Sequence, residues 1–142
     1  MMKLSRLSPA ELDTMLTLWD CGEPIRPAAL LEKVNRTHAW NISTLQTILA
    51  RLEEKGMVVF TAEKRFRYFS PKISKEEYAA EETGSLLDRL TGYSPVRLMA
   101  GLIDAGHITE SELDEIDALL RAARENLSRK NASPESGKGG LG

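Results

Sequence analysis

One cysteine, Cys21, and two histidines, His38 and His107, occur among 142 residues. A lone cysteine excludes an intrachain disulfide and a thiolate metal cluster. The two histidines fall in predicted turns, and neither is spaced with carboxylates as a metal or acid–base set. Gly137-Lys138-Gly139 lacks the rest of a phosphate-binding loop. An enzyme, a metal and a cofactor are therefore not expected. No apolar run approaches the roughly 18 residues that a membrane span needs, and the N-terminal MMKLSRLSPA carries no signal-peptide core. A cytoplasmic, soluble protein without a membrane partner is expected. There is no internal repeat.

What is present is a chain able to form a core, with 42% hydrophobic and 28% charged residues. The net charge of −2 conceals an asymmetry. Residues 1–73 hold 11 Lys and Arg against 8 Asp and Glu, and residues 74–142 hold 8 against 13. A basic half joined to an acidic half fits a nucleic-acid module attached to something that never meets phosphate.

The stretch from Trp40 to Gly56, WNISTLQTILARLEEKG, organises the rest. Asn41 suits an N-cap, because its side-chain oxygen can accept from the first free amides of a helix. Leu45, Ile48, Leu49 and Leu52 recur at i, i+3, i+4 and i+7 and draw one apolar stripe. Gly56 suits the left-handed residue beyond the helix end. The opposite face presents Ser43, Thr47 and Ala50, flanked by Thr44, Gln46 and Arg51. Short hydrogen-bonding groups stand on its first two turns, where a solvated face usually carries Glu and Lys. Such a face can approach the floor of a DNA groove without repelling phosphate. The other reading is an amphipathic helix with a quiet surface.

Upstream, Ser8-Pro9-Ala10-Glu11 reads as a capping box with proline at the first helical position. That helix carries Leu12, Met15, Leu16 and Trp19 and stops at Gly22. Pro27 opens a second helix, with Leu30, Leu31 and Val34 inward. Three helices, the last two joined by a tight connection, form a helix-turn-helix. Downstream, residues 57–61 and 66–70 are β-prone and enclose a polar turn, a hairpin that completes a winged helix. Lys64, Arg65 and Arg67 are assigned to its tip, to rest on phosphate or in the minor groove.

Ser74-Lys75-Glu76-Glu77 and Thr109-Glu110-Ser111-Glu112 are further capping boxes, and Ser94-Pro95 opens another helix. The sequence thus predicts a mainly α protein: a winged helix-turn-helix over 1–73, a three-helix dimerisation domain over 74–130, and a disordered tail over 131–142. Three amphipathic helices in so short a span cannot bury their own apolar faces well. A second copy of the chain would cover them and present two winged helices to a two-fold operator. The residues assigned to that contact are Leu86, Leu90, Leu98, Leu102, Leu113, Ile116, Leu120 and Leu127.

These motifs resemble the penicillinase-repressor family, the BlaI/MecI/CopY-type repressors, over roughly residues 5–127. The resemblance rests on Leu18-Trp19, on Trp40…Thr44-Leu45…Leu49-x-Arg51-Leu52-x-x-Lys55-Gly56, and on Phe66-x-Tyr68-Phe69-Ser70. It implies a dimeric winged-helix repressor on an inverted-repeat operator, often controlling resistance or stress genes. It also places Thr44, Gln46, Thr47 and Arg51 on the DNA-contacting face.

Two departures matter. Gln46 stands where many members have a basic residue, so the base preference does not carry over. The paired Cys-x-Cys motifs of the copper-responsive branch are missing, which argues against copper or zinc sensing. In the β-lactam-responsive branch a sensor-linked protease cleaves the fourth helix. The corresponding bond here is Ser85–Leu86, where that branch shows Asn-Phe. Thr83-Gly84-Ser85 is itself a run of poor helix formers; the alternative is that Gly84 relieves packing or bends the helix. A rival to the whole reading is a winged helix used as a protein–protein adaptor. It would need an apolar or acidic outer face on the third helix, and the Ser/Thr/Gln/Arg face favours DNA.

Overall fold

The structure, a computed structural model, describes residues 6–132. They form two compact units that divide between Thr91 and Gly92. The described chain is mainly helical, with one two-stranded sheet.

In the first unit, helix α1 (Pro9–Cys21) begins on a complete capping box. Ser8 Oγ accepts from the Glu11 amide at 3.2 Å, and Glu11 Oε1 accepts from the Ser8 amide at 2.9 Å. The helix ends at Gly22, whose φ of 79° is the left-handed geometry that glycine adopts without penalty. Helix α2 (Pro27–Val34) starts on proline, and α3 (Ile42–Glu54) starts on Asn41, whose Oδ1 accepts from the Thr44 amide at 2.8 Å. Strands β1 (Val58–Glu63) and β2 (Phe66–Pro71) pair antiparallel with Glu63 opposite Phe66. The connection is therefore a two-residue turn, Lys64-Arg65, tighter than the polar loop expected. Ile25 and Phe69 exchange both backbone bonds at 3.0 and 2.8 Å, which stitches the α1–α2 link onto the free edge of β2.

The apolar stripes of the three helices meet the inner side of this hairpin. Met15 and Leu18, Leu30 and Val34, and Leu45, Leu49 and Leu52 are buried together with Met57, Val58 and Phe69. Each leucine withdrawn from water contributes roughly 1.5–3 kcal/mol. The helix-turn-helix and the two-stranded wing together make a winged helix.

Helix α4 (Lys75–Arg89) starts on the capping box of Ser74 and Glu77. It belongs to the first compact unit, although the sequence grouped it with the helices that follow. The reason is Tyr78, which enters the winged-helix core and is only 7% exposed. Burial, with Glu82 adding to it, pushes the Tyr78 phenol above its usual pKa, so the ring stays neutral.

The second unit holds α5 (Pro95–Asp104) and α6 (Glu110–Ala132). Thr109 and Glu112 cap α6 reciprocally, with bonds of 2.9 and 3.1 Å. Helix α6 continues through Ala132, so Asn131 and Ala132, expected in the tail, are helical. Arg129 and Lys130 in the last turn complement the negative end of the helix dipole. The rest of the expected tail lies outside the described residues.

Candidate nucleic-acid interface

Four buried residues, Leu45, Ile48, Leu49 and Leu52, hold α3 against the core and fix which side faces outward. That side exposes Ser43, Thr44, Gln46, Thr47, Ala50 and Arg51. Local bonds order part of it. Thr47 Oγ1 donates to the Ser43 carbonyl at 3.0 Å, and Ser43 Oγ donates to Asn41 Oδ1 at 3.3 Å. These hydroxyls keep acceptor lone pairs free toward the outside. Gln46 and Arg51 have no bond of this kind among the described residues, and both project donors.

The turn that sets the entry of α3 is clamped by one side chain. Asn35 Nδ2 donates to the Trp40 carbonyl at 2.8 Å, and Asn35 Oδ1 accepts from the Trp40 amide at 2.9 Å. His38 stacks on Trp40 with ring centroids 4.5 Å apart and lies 2.9 Å from Asp13 Oδ2. His38 therefore braces the helix-turn-helix.

The wing divides its cations into two kinds. Lys64 and Arg65 form the exposed turn, and Lys64 takes a left-handed φ of 58°. Arg67 is not at the tip. It sits back on β2, with its guanidinium 4.1 Å from the Phe60 ring centroid and 5.4 Å from that of Phe69. Strand alternation puts it on the same face as Phe69, so it leans toward α3. A cleft of about 310 Å³ between α3 and the wing is lined by Pro27, Gln46, Ala50, Glu53 and Arg67 over a floor of Leu49 and Phe69. The sequence reading missed Arg26, whose guanidinium lies 3.7 Å over the Phe66 ring. No local pattern marks that pair, because only the Ile25–Phe69 bridge brings the two together.

The other singled-out residues lie away from this face. Leu86 and Ser85 are half-buried on α4, and Leu90 beyond its end is exposed. Leu98 and Ile116 are half-buried, while Leu102, Leu113, Leu120 and Leu127 are exposed. No described side chain of the second unit is buried. Among the described residues no helix is long and apolar enough to cross a membrane, and no cluster of His, Cys, Asp or Glu could hold a metal ion.

Residues 7–122 match the penicillinase repressor family. The chain belongs to that family. It is a family of transcriptional repressors, not of enzymes. The chain is 25% identical to the penicillinase repressor of Bacillus licheniformis over 130 residues, covering 92% of this chain and 98% of that one. It is 29% identical to the transcriptional regulator BlaI of Mycobacterium tuberculosis over 139 residues, 96% of each chain. Among solved structures it is similar to the monomeric form of Bacillus licheniformis BlaI in complex with the blaP half-operator. That match has 31% identity, covers 55% of this chain and 94% of the other, and has a TM-score of 0.47.

Proposed function

We propose that this repressor acts in the cytoplasm as a homodimer that binds an inverted-repeat operator in double-stranded DNA. The observation that carries the reading is the outer face of α3 from Ser43 to Arg51: Ser43, Thr44, Gln46, Thr47, Ala50 and Arg51 are exposed and none is acidic, and the exposed carboxylates of the helix, Glu53 and Glu54, stand at its C-terminal end. Lys64 and Arg65 at the wing tip and Arg67 beside the cleft add cations on its flank. In this reading α3 enters the major groove, Gln46 pairs with adenine, and Thr47 meets a thymine methyl. Arg51 and the wing cations hold phosphate and set the register.

Dimerisation is assigned to residues 74–130, with residues 1–73 carrying the DNA contacts and α4 serving both parts. The support is the second unit, where Val96, Leu102, Leu119, Leu120 and Leu127 are 76%, 39%, 68%, 48% and 59% exposed. Apolar surface of that extent on these two helices calls for a partner, and a second copy supplies the symmetry an inverted repeat requires. Release by a stress or antibiotic signal, through a sensor-linked protease acting at Ser85–Leu86, completes the proposal. A gel shift with the DNA upstream of the protein's own gene, run across a salt series, tests it. A retarded band that weakens steeply with salt supports the reading. No band at any salt leaves the protein-binding adaptor as the better account.

A further inference from the structure

Helix α4 is tied to the winged helix at its base and stands free further along. At the base, Trp19 Nε1 donates to the Ile73 carbonyl at 3.0 Å, just before the Ser74 cap. The Trp19 and Tyr78 rings pack with centroids 5.8 Å apart, and Tyr78 is buried in the core. Beyond Tyr78, α1 and α4 face each other across an open groove whose lining includes Leu12, Leu16, Thr83 and Leu86. Leu16 is 40% exposed there. The direction in which α4 leaves the DNA-binding unit is therefore set at its base, where the Trp19 indole with its bond to Ile73 and the buried Tyr78 ring hold it.

We infer that Trp19 and Tyr78 are positioning residues that set which half-site spacing the dimer accepts. The inference rests on the dimeric, DNA-binding reading above. Helix α4 has 15 residues and so is about 22 Å long. A tilt of about 9° at its base moves its far end by about 3.4 Å, the rise of one base pair along a strand, and each added base pair also turns a half-site by about 34° about the duplex axis. Of the residues assigned to the contact between the two copies, Leu86 lies near the far end of this helix and all the others follow it in the chain. A base held to within a few degrees therefore makes the dimer selective at the level of single base pairs. A loosened base lets the two recognition helices find repeats that are closer together or further apart. Neither Trp19 nor Tyr78 touches DNA in this scheme, so the grip of each α3 on its own half-site stays unchanged.

The test uses full-length protein and a set of inverted repeats whose central spacer is shortened or lengthened in steps of one base pair. The set is measured with wild type, Trp19→Phe and Tyr78→Leu. Trp19→Phe keeps a ring but loses the bond to Ile73, and Tyr78→Leu keeps apolar bulk but loses the ring. Wild type should lose about tenfold in affinity for each step away from the best spacing, because the DNA must otherwise deform. Both variants should flatten that profile to within about threefold while keeping affinity for a single half-site within about twofold of wild type. A variant profile parallel to that of wild type overturns the inference. So does an equal loss on half-sites and full repeats, which marks these residues as structural only. Failure of the wild type to bind any repeat instead removes the DNA-binding reading on which the inference stands.

Discussion

Lys55 Nζ, at the C-cap of the recognition helix, lies 2.6 Å from Glu11 Oε1, in the capping box of α1. The same ammonium donates to the Arg6 carbonyl at 2.9 Å. Glu11 is 3% exposed, so the carboxylate is withdrawn from water, and its Oε1 accepts from both the Lys55 ammonium and the Ser8 amide. The end of α3 is pinned to the start of α1 by this contact. It connects the helix proposed to enter the groove to the scaffold that aims it.

Stability should register that contact through pH. Burial works to raise the pKa of Glu11, but the bond from Lys55, the Ser8 amide and the Lys55 charge outweigh it and leave it below 4.5. A depressed folded pKa gives stability that is complete above the unfolded value and is lost as pH falls through the folded one. Glu11→Gln should cost about 2 kcal/mol at neutral pH, since it leaves the partly exposed Lys55 unmatched. Urea unfolding at about pH 7 and about pH 3 checks this, and the gap between wild type and variant should narrow in acid. A gap of the same size at both values contradicts the assignment.

On the recognition face, Gln46→Ala should cost about 1–3 kcal/mol on the preferred site and relax the preference at one position of each half-site. Arg51→Ala and Lys64→Gln should weaken all sequences alike and reduce the salt slope by about one unit each. Selection of binding sites from a random pool, followed by affinity measurement across salt, separates the two kinds of change. An unaltered base preference in Gln46→Ala means that α3 docks in another orientation.

Much of this geometry was legible in the residues themselves. Ser8 with Glu11, Asn41, and Ser74 with Glu77 start their helices where local bonding chemistry places them, and Gly22 and Gly56 end theirs. Contacts between distant residues were not legible. Arg67 reads as one more cation near a turn, and its seat on Phe60 depends on the hairpin register that puts Ala62 opposite it. Tyr78 reads as part of an amphipathic helix, and its burial in the winged-helix core, against Trp19 among others, draws α4 into the first unit. Periodicity reports which face of a helix is apolar, but not which surface covers it.

Dimerisation should be sensitive to the exposed apolar face of α6. Leu120, 48% exposed in the single chain, is expected to be covered in the dimer. Leu120→Asp would place a carboxylate there, where loss of hydration is costly. Sedimentation at micromolar concentration should show a dimer for wild type and a monomer for the variant, with the circular dichroism spectrum preserved. A wild-type monomer under those conditions refutes the assignment.

Gly84 lies inside α4, and a β-carbon added to it would meet nothing within 4 Å. Within the chain, close packing does not require glycine there, so Gly84→Ala should stabilise the helix by about 1 kcal/mol. Limited digestion with a nonspecific protease should cut wild type near Thr83 to Leu86 and cut the variant there several times more slowly, as expected if local opening admits the protease. Equal resistance of the two proteins removes the weak point from the proposed mode of release.

The central claim is that α3 reads a defined sequence while the wing and Arg51 supply a grip independent of sequence. It is tested most directly by the ratio of affinities for the selected inverted repeat and for a scrambled duplex of the same length, at one physiological salt concentration. The account predicts a ratio of at least about 10³, two chains bound per repeat, and a fall of the ratio by about 5- to 150-fold in Gln46→Ala with much less change on the scrambled duplex. Equal affinity for the two duplexes, or no measurable binding to either, would contradict it.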